Sequence, residues 1–269
     1  MNQTVNRTSA VNSYQNDGFY IVSSPVVQGE LIEKASSRMD AVMAGEYETG
    51  TAPMDGWKSD DPSALRKIDQ AHLSDNTIFS LISHPSIGEW AAAITGADMI
   101  QLFALQLLYK PPNHGVGGHV GWHQDWQYWN TWWEGGSEVF TAWLAVSDVT
   151  TEAGPMHFAR GSHKWGFLNE GNFWASEQTD TWNRERAGVH APQGVVWEEV
   201  PAILPPGGVS FHNCLTYHGS GSNVSDRPRR AFALHLRTEK SRPLSTENNP
   251  YLQHLNNPRI CPVLYQAGK

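Results

Sequence analysis

Cysteine is nearly absent from this chain of 269 residues: Cys214 and Cys261 are the only two. A disulfide framework cannot be the basis of the fold, and the pair reads as two reduced structural thiols in a cytoplasmic protein. Basic runs are missing too, and the net charge is −8. That argues against nucleic acid, against an anionic membrane surface and against a CoA thioester, whose phosphates need a basic rim. No apolar run approaches the length of a membrane span. Met1 to Asn16 is polar, without the apolar core of a signal peptide. The Asn-x-Ser/Thr matches at Asn2, Asn6 and Asn223 therefore read as chance. These absences leave a protein that acts on a small molecule, as a monomer or a homodimer.

The length suits one β-rich domain, 1–269, with helices packed on it. Residues 1–12 read as a loose arm and 18–22 as a short strand. Over 27–46, Leu31, Ala35, Met39 and Met43 form a helical stripe. The polar, turn-rich stretch 51–69 is a candidate border of a site. Helices are expected over 75–82, capped by Asp75 or Asn76, and over 87–94, closed by Gly96, with Pro85 between them. Strands are expected over 100–109, 139–149, 156–159, 197–204, 209–214, 215–218 and 229–237. Pro201 would put its strand at an edge or bulge. Lys110, before Pro111 and Pro112, reads as a solvated strand end that could reach a ligand. Gln106 is either a satisfied core amide or a position facing a pocket. Residues 240–269, polar with several prolines, are expected to wrap the surface.

The chemistry concentrates in Trp122-His123-Gln124-Asp125-Trp126. In an extended segment, residues two apart share a face, so His123 and Asp125 aim at a common point. His218 is the best third ligand. Two His and one carboxylate leave open positions on an octahedral ion, the arrangement of non-haem Fe(II) oxygenases. Arg229 follows His218 by eleven residues. On the next antiparallel strand of the same sheet it would sit beside the metal, and Arg grips carboxylates bidentately. An anionic chelating co-substrate such as 2-oxoglutarate fits. Spacing leaves alternatives open: His212 lies an even six residues before His218, across an Asn213-Cys214 break, and Arg230 adjoins Arg229. His119, four before His123, and His114 read as residues of the glycine-rich loop 113–121, and His163 as a structural loop residue.

These residues also resemble a known family. His123-Gln124-Asp125, Tyr128, Ala142-Trp143, Gly154, Gly161-Ser162-His163-Lys164 and the tail His218-Gly219-Ser220-Gly221, Asn223, Ser225 and Arg229 are similar to the phytanoyl-CoA dioxygenase family, in order, from about Asp17 to Arg237. The resemblance implies a double-stranded β-helix, a jelly-roll or cupin-like core, and Fe(II)/2-oxoglutarate chemistry with dioxygen. It implies His123, Asp125 and His218 as metal ligands. It implies Arg229 and Ser220 at the far carboxylate of 2-oxoglutarate, with Trp143 lining that pocket. An aspartate ligand, which halogenating relatives lack, implies hydroxylation or another oxidative outcome such as epimerisation, desaturation or cyclisation. The family does not fix a substrate.

The chain holds 12 Trp. Trp126, Tyr128, Trp129, Trp132 and Trp133 crowd one short segment, too much ring surface for a solvated loop. Segment 126–138 therefore reads as a pocket wall or lid. The irregular stretch 165–197, with Phe173, Trp174 and Trp182, reads as a second lid. Trp126, Tyr128, Trp129, Trp132 and Trp174 are the candidate substrate contacts. Two other readings compete. A non-catalytic β-barrel with a Trp-rich metabolite or sugar cleft leaves Arg229 unexplained, and a zinc hydrolase leaves it idle.

Overall fold

Along Arg229–Thr238 successive side chains take opposite sides. Phe232, Leu234 and Leu236 join the large apolar cluster that carries the helices. Ala231 and Ala233 join a smaller cluster between the sheets, while Arg229 and His235 line a cavity there. This is the period-two alternation of a pleated strand with both faces covered. Its neighbours repeat it. In Val139–Ala145, Phe140, Ala142 and Leu144 face the helices, and Thr141 and Trp143 face the cavity. In Val209–Asn213, Phe211 faces the helices and His212 the cavity.

A computed structural model describes residues 7–22, 24–56, 64–112, 118–174 and 189–268. His114, Trp182 and Asn2, and much of the second aromatic segment, lie outside the described residues. The order is α1 (Arg7–Asp17), β1 (Phe19–Ile21), α2 (Glu30–Met43), β2 (Arg66–Asp69), α3 (Asn76–Ile82), α4 (Pro85–Thr95), β3 (Met99–Lys110), β4 (Val120–His123), α5 (Trp126–Trp129), β5 (Val139–Ala145), β6 (Met156–Ala159), β7 (Glu199–Pro201), β8 (Val209–Asn213), β9 (His218–Ser220), β10 (Arg229–Thr238) and β11 (Val263–Gln266). One seven-stranded sheet runs β1-β8-β5-β10-β3-β11, with β2 also paired to β3. A four-stranded sheet runs β4-β9-β6-β7. All the pairings are antiparallel. Phe158 and Met156 of the smaller sheet pack with Trp143, Leu108 and Ala231 of the larger one, so the two close as a jelly-roll sandwich.

Several local expectations hold for the reasons given. Asp75 accepts from the Ile78 N–H and caps α3, Pro85 opens α4, and Gly96 ends it in the left-handed conformation. Pro201 sits in β7, at the edge of its sheet. Others need correction. The loose arm is a helix from Arg7, because Ala10 and Tyr14 bury one face against the core. The turn-rich stretch ends in strand β2, which pairs with β3. The C-terminal segment does more than wrap: Leu252 and Cys261 are buried, and β11 pairs with β3.

Candidate metal and co-substrate site

His123 ends β4, where the chain leaves the extended conformation. Asp125 is helical, at φ −56 and ψ −34, and opens α5. Extended alternation is therefore not what aligns the pair; a strand end followed by one turn of helix does it. β4 pairs with β9 at His123 opposite His218. One donor atom from each of His123, Asp125 and His218 lies within 4.8 Å of the others, and all three residues are buried.

The donor set fits a metal ion. The Nδ1–H of His123 donates to the Gly121 carbonyl at 2.8 Å, and that of His218 to the Thr216 carbonyl at 2.9 Å. Each bond fixes the tautomer and leaves Nε2 as a lone pair facing inward. The two Nε2 atoms lie 3.8 and 3.7 Å from Asp125 Oδ1. Asp125 Oδ2 is occupied elsewhere: the Thr141 hydroxyl donates to it at 2.7 Å, and His212 Nε2 stands 3.3 Å away. With its proton committed, Thr141 accepts from His235 Nδ1 at 3.0 Å. Burial lowers the His123 imidazole, and burial with His123 and His212 beside it lowers that of His218 well below the usual range. Both rings are therefore neutral near pH 7, as ligands must be. Burial raises the Asp125 carboxyl, and the neighbouring His218 and His212 lower it further than that, so it is held ionised.

Across the cavity, Arg229 is 2% exposed. Its guanidinium donates to the Gly154 carbonyl and stacks over the Trp143 ring, 5.2 Å from the centroid. Burial pulls it down to about 9. Among the described residues no carboxylate pairs with it, so a buried cation faces the donor triad. Arg229 was expected on the sheet that carries His218. Instead β9 and β10 belong to opposite sheets, and the two residues meet across the sandwich. Arg230 points the other way and pairs with Asp40 of α2.

One cavity of about 270 Å³ joins these groups; Gln106, Ser220, Trp143, Tyr128, Trp129, Trp132 and Trp174 all line it. That volume is near the lower end of the ~300–1,000 Å³ seen for small-molecule sites. Trp126 is the exception among the predicted contacts. Its backbone N–H is tied to the Cys214 carbonyl, and its ring packs on the cluster of Phe103, Trp133 and Leu252. Lys110 is not solvated: it is fully buried and bonded to Ser220. Sequence reasoning missed Phe173 as a ring against His123, with centroids 5.3 Å apart, and it missed Tyr251. Tyr251 reaches the cavity from the C-terminal segment and donates to Asp69, which also holds Lys67. His212, left open as an alternative, lines the cavity, and so does His235.

The phytanoyl-CoA dioxygenase family model matches residues 14–231. The chain belongs to this family. Its relatives include a probable alpha-ketoglutarate-dependent hypophosphite dioxygenase of Stutzerimonas stutzeri, 27% identical over 63% of this chain and 56% of that protein. They also include the ectoine dioxygenase of Bordetella parapertussis, 25% identical over 91% of this chain and 80% of that protein. The chain thus spans little more than half of the first relative and most of the second. Among solved structures, the epimerase SnoN from nogalamycin biosynthesis, in complex with Fe3+, alpha ketoglutarate and nogalamycin RO, superposes with a TM-score of 0.69 at 21% identity, over 91% of this chain and 88% of SnoN. The carbocyclase SnoK from the same biosynthesis gives 0.67 at 22%, over 92% of this chain and 90% of SnoK. Both share the jelly-roll fold seen here. By family and donor set, this chain is a non-haem iron oxygenase that uses 2-oxoglutarate and dioxygen.

Proposed function

We propose that His123, Asp125 and His218 hold Fe(II), that Arg229 and Ser220 bind the far carboxylate of 2-oxoglutarate beside Trp143 and Gln106, and that the protein oxidises a C–H bond of a small metabolite. The observation that carries this is a buried His/Asp/His set facing a buried Arg with no carboxylate partner among the described residues, in one cavity. When bound, Fe(II) and 2-oxoglutarate would supply, with dioxygen as the oxidant, oxidative decarboxylation to succinate and CO2 coupled to oxidation of the substrate. The chain's own residues do the rest. The Gly121 and Thr216 carbonyls orient the imidazoles. Thr141 and His212 occupy Asp125 Oδ2 and leave Oδ1 to the ion. Tyr128, Trp129, Trp132, Phe173 and Trp174 wall the cavity and exclude water from the reacting centre.

The whole of 1–269 acts as one domain in this reading, with 126–138 and the described parts of 165–197, residues 165–174 and 189–197, as lid segments over the substrate. Hydroxylation is the default outcome. Epimerisation and ring closure by SnoN and SnoK keep other outcomes, and a place in secondary metabolism, within the proposal. Every donor comes from one chain, which suits a monomer or a homodimer. No helix of the described residues is long and apolar enough to cross a membrane. The two thiols are buried and unpaired, which supports a reducing, cytoplasmic setting.

The test is an anaerobic titration of the metal-free protein with Fe(II) and 2-oxoglutarate, following the weak visible absorption of the chelate. The band should appear in the parent protein, vanish in His123→Ala and weaken in Arg229→Ala. No band in fully metallated parent protein would reject the reading in favour of a non-catalytic binding module.

A further inference from the structure

Lys110 closes β3 directly opposite Arg229 of β10. It is fully buried, although lysine is almost never fully buried unless paired. No carboxylate of the described residues pairs with it either. Its Nζ donates to the Ser220 hydroxyl at 2.6 Å, to the Ser220 carbonyl at 3.2 Å and to the Gly221 carbonyl. Three acceptors take all three N–H bonds of an ammonium group. Burial and the neighbouring Arg229 cation push the Lys110 amine well below its usual range, and no carboxylate of the described residues offsets them; a bound anion between the two groups would hold both charged.

The bond to the Ser220 hydroxyl has a consequence for the ligand. A serine oxygen that accepts from Lys110 must turn its own O–H elsewhere. No acceptor for that proton is found among the described residues, and Ser220 lines the cavity together with Arg229. We propose that Lys110 is a positioning residue for the co-substrate, holding the Ser220 hydroxyl as a donor toward the far carboxylate and taking up a second positive charge when that carboxylate binds. The preference for a dicarboxylate over a 2-oxo acid with an uncharged tail then depends on Lys110 through Ser220. This rests on the reading of Arg229 and Ser220 given above.

The test compares 2-oxoglutarate with 2-oxopentanoate, which keeps the chelating head and lacks the far carboxylate. Binding is measured by anaerobic calorimetry on the Fe(II)-loaded protein. Lys110→Met removes charge and donors at similar length, at the cost of leaving the Ser220 and Gly221 carbonyls without this donor. Lys110→Gln, uncharged but still a donor, is the second variant should Met not be accommodated. Affinity for 2-oxoglutarate should fall roughly 10–100-fold, while that for 2-oxopentanoate stays unchanged. Ser220→Ala should give a similar selective loss, and the double variant should lose no more than the larger single one, the sign of action through a shared contact. Equal losses for both ligands would make Lys110 a structural residue only, and fully additive losses would detach it from Ser220; either overturns the proposal. A parent protein that loads Fe(II) but binds neither ligand would overturn the underlying reading, and the Lys110 assignment with it.

Discussion

His212 and His218 face each other across the two sheets, ring centroids 4.3 Å apart, and approach different oxygens of Asp125. The donor triad gathers around Oδ1, whereas His212 and Thr141 hold Oδ2. One imidazole is therefore placed to meet the ion and the other to aim the carboxylate that meets it. His212→Leu should still bind one Fe(II) per chain, roughly 10–100-fold more weakly, the usual cost of losing a group that orients a ligand. His218→Leu should bind none stoichiometrically. Anaerobic Fe(II) titration separates the two, and the opposite ranking would exchange their roles.

Arg229 and Arg230 are adjacent and chemically identical, yet they occupy different environments. Arg229 lies between the sheets, and Arg230 reaches Asp40, whose side chain is 51% exposed. Arg230→Ala should cost at most about 1 kcal/mol of stability and leave the KM for 2-oxoglutarate unchanged. Arg229→Ala should raise that KM roughly 10–100-fold. Initial rates against 2-oxoglutarate concentration decide, and equal effects would show that the two sides of β10 had been misassigned.

That Arg229 and Arg230 take opposite faces was legible in the sequence because alternation along a strand is local, while the choice of Arg229 came from the family resemblance. The sheet of each strand was not legible. β9 and β10 are consecutive in sequence, and only non-local pairing, β9 with β4 and β10 with β3 and β5, separates them. The same limit hid Lys110: a lysine before two prolines looks solvated, and its acceptors at Ser220 and Gly221 lie 110 and 111 residues further on. Trp126 misled differently. Composition shows that a ring-rich segment must pack, but only the helical turn begun at Asp125 decides which rings face the cavity and which the core. Tyr251 carried no motif; its place follows from the course of the C-terminal segment. The His-x-Asp pair at 123 and 125 is common by chance and pointed to little alone; the tail that follows His218 singled out the three residues whose donor atoms the structure brings together.

Two further imidazoles set an acid limit. Burial pulls His72 and His235 down to about 4, against 6.5 when exposed. Between those values the unfolded chain binds protons that the folded chain refuses. Stability is therefore full above 6.5, is lost as pH falls through the window, and stops falling on this account below about 4. Each group contributes a loss on the order of 3 kcal/mol across it, and His123 and His218 shift in the same direction. Urea midpoints of the metal-free protein, taken in steps from neutral pH downward, should decline. His72→Gln, which keeps a donor for the Ile260 carbonyl, should make the decline shallower. A midpoint flat across the window would contradict the burial of these rings as neutral groups.

Gly154 couples the backbone to the co-substrate site. Its φ is +65, and a Cβ there would lie 2.5 Å from the Gly221 carbonyl oxygen and 2.7 Å from that of Ser222. Both obstacles are backbone, so a side chain cannot be accommodated by a rotamer change. The left-handed conformation alone costs a non-glycine residue about 1–2 kcal/mol. The carbonyl of Gly154 also accepts from Arg229, and Gly221 accepts from Lys110. Gly154→Ala should therefore lower the urea midpoint and raise the KM for 2-oxoglutarate together. Gly136→Ala is the control: φ is +82 there, but nothing lies within 4 Å of the added Cβ. It should show the backbone cost with the KM unchanged. If both variants left the KM at its parent value, the contact between Gly154 and Gly221 would serve stability alone, and Arg229 would be held by Trp143 and the sheet without it.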